Sequence, residues 1–312
     1  RSDTSKGMTN IFQGVIQQLS RRLQVFLQKS EKANAEEDWR PSVVALSPDS
    51  FNRYELLELM KWLSDRYGFG MYIHFEKAYF STESKKAGDE KLNKIIHTIS
   101  NTHSNVFAEI LISPSVTSAV ANIIQLPGIS GQPNNMVLFE YKKGQTEWLS
   151  EIIDNYSLIK TAGHDVCILA NSDRGFGYKK DIHIWIKKED YENANLMILL
   201  SYIILGHKDW NKGEIKIFAA FPESNIEDEK KNLVEICSSG RLPISANNIN
   251  VITLDGSKSK KELISQYSKD ADLTLIGFHE SRIKAEGHLI FDGYDDLGNI
   301  LFVNTLIPKF IK

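Results

Sequence analysis

The sequence has few of the residues that build metal and redox centres. Only two of its 312 residues are cysteines, Cys167 and Cys237, and they lie far apart in apolar surroundings. Two isolated cysteines supply neither a disulfide framework nor a zinc-ligand spacing, and they favour a reducing compartment. The eight histidines include no His-Glu-x-x-His sequence and no pair at ligand spacing with a cysteine. The sequence therefore predicts no metal site, and His74 and His183 are interpreted as core histidines bonded to backbone.

Glycine is present but is not arranged to bind phosphate. No G-x-G-x-x-G or G-x-x-x-x-G-K-[ST] sequence occurs, and the pairs Gly68/Gly70 and Gly175/Gly177 are typical of turns. No G-x-S-x-G sequence marks a nucleophilic serine. These absences favour a binding or regulatory module rather than an enzyme. We expect no catalytic residue, no cofactor and at best weak nucleotide binding.

Long apolar runs and a strong charge of one sign are also missing. The formal net charge is −3, which gives no general attraction to nucleic acid. The most apolar segment, Leu196–Leu205, has ten residues, whereas a bilayer crossing needs about 20. We interpret it as a core helix and expect no membrane span in this sequence. The basic loop around Lys258, Lys260 and Lys261 is interpreted as a solvated helix start rather than a nucleic-acid site.

What the sequence does contain is a regular alternation of short apolar strands and amphipathic helices. The predicted strands are Ser42–Ser47, Met71–Phe75, Val106–Ile112, Met136–Glu140, Asp165–Ala170, Ile182–Ile186, Glu214–Phe221, Ile249–Leu254, Asp272–Phe278 and Asn299–Leu306. The predicted helices are Ser50–Tyr67, Asp89–His103, Ser115–Leu126, Thr146–Thr161, Tyr191–His207, Ile226–Ser239 and Lys258–Lys269, with only a short helix within His279–Asp296. Parallel strands need such crossovers, so the pattern predicts an α/β fold with doubly wound, mainly parallel sheets.

The second five strands repeat the first five at a nearly constant offset. Equivalent strand residues lie 137 to 143 positions apart, as Leu138 and Leu275 do. This spacing predicts an internal duplication. The expected segments are an N-terminal helix and linker at 1–38, a first half at 39–172 and a second half at 173–312. We expect the halves to superpose as two separate five-stranded sheets with right-handed crossovers.

The first segment, Met8–Lys32, has the period of an amphipathic helix. Its apolar stripe, together with two residues of Leu196–Leu205, gives the candidate interface residues: Phe12, Val15, Ile16, Leu19, Leu23, Phe26, Ile203 and Ile204. Burial of each large side chain contributes about 1.5–3 kcal/mol, so the stripe needs a partner. That partner is the first half, a second copy of the chain, or both. Simple packing inside one chain, for either helix, is equally compatible with the pattern.

Four sequence blocks occur in an order that resembles one known family. Trp39-Arg40-Pro41 precedes the first strand, and Pro133-Asn134 precedes the fourth. Asp181-Ile182-His183-Ile184-Trp185 opens the second half, and Trp210-Asn211-Lys212-Gly213-Glu214-Ile215-Lys216-Ile217-Phe218 follows its apolar helix. In this order and spacing, over roughly residues 8–278, they resemble the cytosolic C-terminal domain of cation–chloride cotransporters.

The resemblance implies two halves similar to the universal stress protein fold, and a homodimer. It implies a regulatory domain on the cytoplasmic face of the cell membrane. A separate transmembrane domain of the same polypeptide would cotransport chloride with sodium and/or potassium. The start of the sequence at Arg1, in a polar stretch with no initiator Met and no signal peptide, is expected for a piece of such a protein.

The sequence also departs from the family. Animal members have a glycine pair after the Trp-containing strand, where this chain has Glu189-Asp190-Tyr191-Glu192. In place of their long regulatory insertion there is a short connection at Asn171–Lys180. These differences favour a compact, prokaryotic-type member and leave ion preference and phosphorylation control open. The alternative is a stand-alone universal-stress-type protein that binds nucleotide or signals. It needs a glycine-rich stretch after the fourth strand, where the halves offer Gly144, and Gly277 with Gly287.

Overall fold

Helices connect successive strands within each half of the computed structural model. The structure describes residues 16–23, 25, 39–66, 68–102, 104–129, 133–187, 191–223, 226–239, 246–254, 256–307 and 309. The strands are β1 Ser42–Ser47, β2 Phe69–Lys77, β3 Phe107–Ser113, β4 Met136–Lys142, β5 Asp165–Asn171, β6 Asp181–Trp185, β7 Glu214–Pro222, β8 Ile249–Leu254, β9 Leu273–Gly277 and β10 Asn299–Asn304. The helices are α1 at 16–23, α2 Glu55–Leu63, α3 Thr82–Asn101, α4 Val116–Ile123, α5 Thr146–Asp154, α6 Tyr156–Thr161, α7 Tyr191–Leu205, α8 Ile226–Ser239, α9 Lys260–Ser268 and α10 Glu280–Glu286. Short 3-10 helices lie at Lys208–Trp210, Ala246–Asn248 and Gly287–Phe291.

These ten strands form a single sheet in the order β3-β2-β1-β4-β5-β10-β9-β6-β7-β8. Neighbouring strands are parallel within each half, and only β5 and β10 pair antiparallel. The predicted α/β fold with two five-stranded parallel units is confirmed. The expectation of two separate sheets is wrong. Each five-stranded unit has an edge strand, β5 or β10, with backbone N–H and C=O groups that have no partner within that unit. Pairing β5 with β10 provides hydrogen bonds for both strands.

Matching contacts on the two sides of the β5–β10 seam relate the halves. Asp165, at the start of β5, accepts through Oδ1 a hydrogen bond from the backbone N–H of Leu306, just beyond β10 (3.0 Å). Asn299, at the start of β10, accepts through Oδ1 one from the backbone N–H of Ser172, just beyond β5 (2.8 Å). The halves are therefore related by an approximate two-fold axis perpendicular to the sheet, in agreement with the constant offset.

Helices cover both faces of the sheet. The core on one face includes residues of α2, α3, α7 and α8, and the core on the other includes residues of α4, α5, α6, α9 and α10. Successive strand residues point to opposite faces, so Val43 and Ala45 join the first core while Val44 and Leu46 join the second. Burial on both faces explains why the strand sequences are nearly continuous apolar runs.

The apolar segment forms α7, which is buried within the chain itself. It packs on β6, β7, β9 and β10 and also contacts α2 of the first half, which covers the same face of the sheet. A helix that is apolar on all sides is expected in such a place. No helix in the described part of the chain is long and apolar enough to cross a membrane.

Several helices differ from their predicted bounds, and α2 is shorter at both ends, Glu55–Leu63 rather than Ser50–Tyr67. α3 begins at Thr82, well before the predicted Asp89, because Ser81 caps it. The Ser81 hydroxyl accepts a hydrogen bond from the Ser84 N–H, and the Ser84 hydroxyl accepts one from the Ser81 N–H. The single helix predicted at Thr146–Thr161 is divided into α5 and α6 at Asn155.

Candidate functional site

Ligands of doubly wound sheets bind where the strand order reverses, beyond the carboxyl ends of the strands. In this chain the order reverses between β1 and β4 and again between β6 and β9. We call the two places the first crevice and the second crevice. Because β5 and β10 pair antiparallel, the strands of the two halves run in opposite directions. The two crevices therefore lie at opposite ends of the strands.

The first crevice is closed by a buried carboxyl group. Glu140, on β4, is fully buried. The Ser47 hydroxyl at the end of β1 donates to Glu140 Oε1 (2.5 Å), and the Asn171 side-chain amide at the end of β5 donates to Glu140 Oε2 (2.6 Å). The guanidinium of Arg53 lies 3.8 Å from Oε2. These side chains fill the space where a ligand would reach the strand ends.

Burial dominates the electrostatics of Glu140. Removal from water raises its pKa to about 7, and the neighbouring Glu55 adds to the rise. Arg53 and the hydrogen bonds from Ser47 and Asn171 act in the opposite direction but do not offset burial. The carboxyl group of Glu140 therefore changes its charge near neutral pH.

A second polar chain beside Glu140 contains a serine–histidine pair. The Tyr72 hydroxyl donates to Ser50 Oγ (2.8 Å), and Ser50 Oγ lies 2.8 Å from His74 Nδ1. His74 Nε2 lies 3.6 Å from a carboxylate oxygen of Glu76. Ser50 and His74 are both buried, so the hydroxyl has no direct route to a substrate. Burial lowers the pKa of His74, which favours the neutral ring.

The core histidines thus have different partners from those predicted. His183 Nδ1 lies 2.9 Å from the Ser268 hydroxyl, as His74 lies beside Ser50. Both imidazoles bond to serine side chains rather than to backbone, because the backbone groups beside them are engaged in the sheet. Within the described ranges, no group of three or more metal-ligating side chains converges.

The second crevice is open and basic. It encloses a cavity of about 500 Å³ at the carboxyl ends of β6 and β9. The lining residues are Lys187, Ser259, Lys260, Lys261, Ile264, Gly277, His279, Arg282 and Tyr294. None of these nine residues is acidic, and four of them are lysine or arginine.

Glu140, which closes the first crevice, has a glycine as its counterpart in the second crevice. Leu46 pairs with Phe139 and Trp185 pairs with Ile276, so the next residues, Glu140 and Gly277, occupy equivalent places on β4 and β9. A glycine has no side chain to fill the space that Glu140 fills. Neither the buried Glu140 nor the open second crevice was predicted from the sequence. The signals were a glutamate ending an apolar strand and lysines in the first turn of a predicted helix.

The predicted interface residues do not lie on one common surface. Ile16, Leu19 and Leu23 lie on α1 with 55–58% of each exposed. Ile203 and Ile204 are buried in the core of the chain itself, Ile204 completely. They do not form a surface because α7 packs on the sheet and on α2. The remaining candidates lie outside the described residues: Phe12, Val15 and Phe26.

Residues in or next to the blocks that carry the family resemblance contact segments that are distant in sequence. The side chain of Asn135, next to the Pro133-Asn134 block, accepts from the Ser42 N–H (2.9 Å) and donates to the Arg40 carbonyl (2.7 Å). Trp210 packs edge-on against Trp62 of the first half, with ring centroids 5.3 Å apart. Because these contacts join segments distant in sequence, the blocks have a structural role.

Comparisons with known proteins give structural likeness but no sequence family. No family model matches the chain, and no curated protein matches it. Its fold is similar to the cytoplasmic domain of a prokaryotic cation chloride cotransporter, with 14% identity and a TM-score of 0.60 over 88% of this chain and 98% of that one.

Two further solved structures are similar, each with 16% identity and a TM-score of 0.51. One is a protein of unknown function from Pseudomonas aeruginosa PAO1, matched over 84% of this chain and 92% of that one. The other is a proposed universal stress protein from Pseudomonas aeruginosa UCBPP-PA14, matched over 83% and 91%. At these identities the likeness establishes the fold, which is shared by the cotransporter domain and the universal stress proteins.

Proposed function

We propose that this chain is the cytosolic regulatory and dimerisation domain of a transporter that moves chloride together with sodium and/or potassium, and that it has no catalytic activity of its own. The observation that supports this most directly is the exposed apolar stripe of α1. In a single chain Ile16, Leu19 and Leu23 remain more than half exposed. Their burial against another surface would contribute about 1.5–3 kcal/mol per side chain. A helix placed before the first half is suited to connect it to a transport domain.

The cotransporter domain and the four sequence blocks support the same proposal. That domain matches this chain over 98% of its own length, so both halves have counterparts in it. Ser50 and His74 are buried, which gives their hydroxyl–imidazole pair no substrate-facing surface. In this function the sheet is a rigid body, and motion of α1 relative to it biases the transport domain. Such a bias requires contacts that differ between two states of the transporter.

The test changes the stripe in the full-length protein. Leu19→Asp with Leu23→Asp is expected to change chloride-dependent cation uptake at least several-fold at equal expression, because two charges prevent the stripe from packing. Uptake is measured in vesicles of defined protein content. The matched control is Gln17→Asp with Arg21→Asp, on the opposite side of α1, which should leave uptake near the wild-type value. Equal uptake by both double variants would mean that α1 only connects the domains and does not regulate transport.

The proposed homodimer makes a separate prediction for this chain alone. We expect the mass in sedimentation to fall from dimer to monomer on dilution, and the Leu19→Asp, Leu23→Asp variant to remain monomeric at concentrations where the wild type is dimeric. The Gln17→Asp, Arg21→Asp variant should behave as the wild type. A monomer mass at every concentration would contradict the dimer.

The second candidate is a stand-alone protein of the universal stress type. It is favoured by the likeness to the Pseudomonas protein at a TM-score of 0.51 and by the open second crevice. The cellular location of the native protein separates the two candidates. A cotransporter domain is expected to sediment with membranes and to require detergent for extraction. Recovery of the native protein from the soluble fraction would favour the second candidate.

A further inference from the structure

We propose that β2 and β3, the two outermost strands of the first half, carry the surface on which α1 of a second copy of this chain docks. The inference rests on the homodimer proposed above and identifies the surface that receives the helix. It depends on an apolar patch at the amino ends of the two strands, on the point where the chain enters the first half, and on charges beside the patch and beside α1.

The patch is formed by apolar residues on one face of β2 and β3. Phe107, the first residue of β3, pairs in register with Met71, and Phe69 lies two residues before Met71 on β2. Their side chains therefore point to the same face of the sheet. Phe69 is 43% exposed and Phe107 is 49% exposed, whereas Ile73 and Phe75, further along this face, are buried in the core that α4 and α5 join. We call Phe69, Met71 and Phe107 the β2–β3 patch.

The chain enters the first half directly beside this patch. The backbone N–H of Phe69 donates to the carbonyl of Pro41 (2.8 Å), and Pro41 lies two residues after Trp39, at the end of the connection from α1. Between residues 25 and 39 that connection can span up to about 50 Å when extended. The length therefore allows α1 to reach the β2–β3 patch of its own chain or of a second copy.

A second copy is the occupant that the single chain favours. Ile16, Leu19 and Leu23 of α1 are 55–58% exposed although the connection is long enough to bring them to the patch. Phe69 and Phe107 are also left partly in solvent, so one chain leaves two apolar surfaces of similar size open. Exchange of α1 between two copies covers both helices and both patches around a two-fold axis, which gives a closed dimer.

Charges at the margins of the two surfaces are complementary. Glu109 is exposed two residues after Phe107, on the same face of β3. Arg22 is exposed on α1 three residues after Leu19, at the side of the apolar stripe. Opposite charges at the rim of an apolar contact select the partner and its orientation. The pair therefore favours one direction of α1 across the patch.

The first test is disulfide formation between two differently tagged forms of the chain. Both carry Cys237→Ser, and the remaining Cys167 is buried. One form carries Leu19→Cys and the other Phe107→Cys, and we expect a linked heterodimer after mild oxidation of the mixture. The matched control replaces Leu19→Cys by Gln17→Cys, on the opposite side of α1, and should give about tenfold less product. A form with both Leu19→Cys and Phe107→Cys that links only within itself would overturn the proposal.

The second test is the dissociation constant of the dimer in sedimentation. Phe69→Asp with Phe107→Asp should raise it about tenfold or more, because two charges would have to be buried under α1. Both residues are partly exposed, so the variant should fold, which far-UV circular dichroism checks. The control is Tyr178→Asp, at a residue of the second half that is 85% exposed, and it should leave the constant within about twofold.

The outcomes separate this inference from the proposed function. A wild-type dimer that the Phe69→Asp, Phe107→Asp variant leaves equally tight would overturn the docking surface and leave the proposed dimer in place. A wild type that is monomeric at every concentration would overturn both.

Discussion

Replacement of Trp62 by alanine will lower the free energy of unfolding by about 3–5 kcal/mol. Trp62 is 1% exposed and is the centre of the contact between the halves on the α2 side of the sheet. Its ring packs edge-on against Phe176 (4.6 Å between centroids) and Trp210 (5.3 Å). Its indole N–H donates to Asp209 Oδ2 (3.0 Å). Alanine leaves a large cavity between the halves and removes that hydrogen bond.

Equilibrium unfolding in urea measures the effect. Trp62→Phe should show a smaller loss, because it keeps an aromatic ring and removes the donor to Asp209. The control is Tyr178→Ala: Tyr178 is 85% exposed, so a change within about 0.5 kcal/mol is expected. A loss below about 1 kcal/mol for Trp62→Ala would show that the halves are held together mainly by the β5–β10 seam.

Glu140→Gln will stabilise the protein relative to the wild type as the pH rises from 4.5 to 7. The folded protein raises the pKa of Glu140 from 4.5 to about 7, because burial favours the protonated form. The stabilising protonated state is fully present below the unfolded pKa and is lost as pH rises through the folded pKa. That difference in pKa corresponds to about 3 kcal/mol. Glutamine cannot ionise and does not show this loss.

The amide should be accommodated in the network. Ser47 can donate to the glutamine oxygen, and Asn171 can rotate its amide so that Oδ1, which has no hydrogen-bond partner, accepts from the glutamine nitrogen. The measurement is the difference in unfolding free energy between variant and wild type at several pH values. The contributions of the other titrating groups are the same in both proteins and cancel in this difference. Glu109→Gln, at an exposed position of β3, is the control for removal of a carboxylate. A difference for Glu140→Gln that does not change with pH would contradict the raised pKa.

Much of the fold follows from local sequence pattern. Strands such as Ser42–Ser47 are continuous apolar runs, and a run covered on both faces admits few other interpretations. The seam between β5 and β10 could not be predicted in the same way. Both strands are as apolar as their neighbours. The sequence of a strand therefore does not show whether it will pair with a strand of its own half or with a strand of the other half.

The candidate site was harder to predict because it depends on equivalence between halves. Glu140 and Gly277 are far apart in sequence and are ordinary residues when taken singly. Only the registers of β1 with β4 and of β6 with β9 place them at matching positions. The lysines of the basic loop are compatible with a solvated helix start and with a cavity wall, because both have the same composition.

The seam between β5 and β10 has a consequence for folding during synthesis. β10 follows every other strand in the chain, so the ribosome makes it last of the ten. The first half can therefore complete β1 to β5 while the edge of β5 still has no partner, a state in which exposed strands tend to pair with other chains. Until β10 emerges, Asp165 also lacks the N–H of Leu306 that it binds in the finished fold. We expect nascent chains that stop before β10 to aggregate or to recruit chaperones, and chains that include β10 to become soluble in a single step.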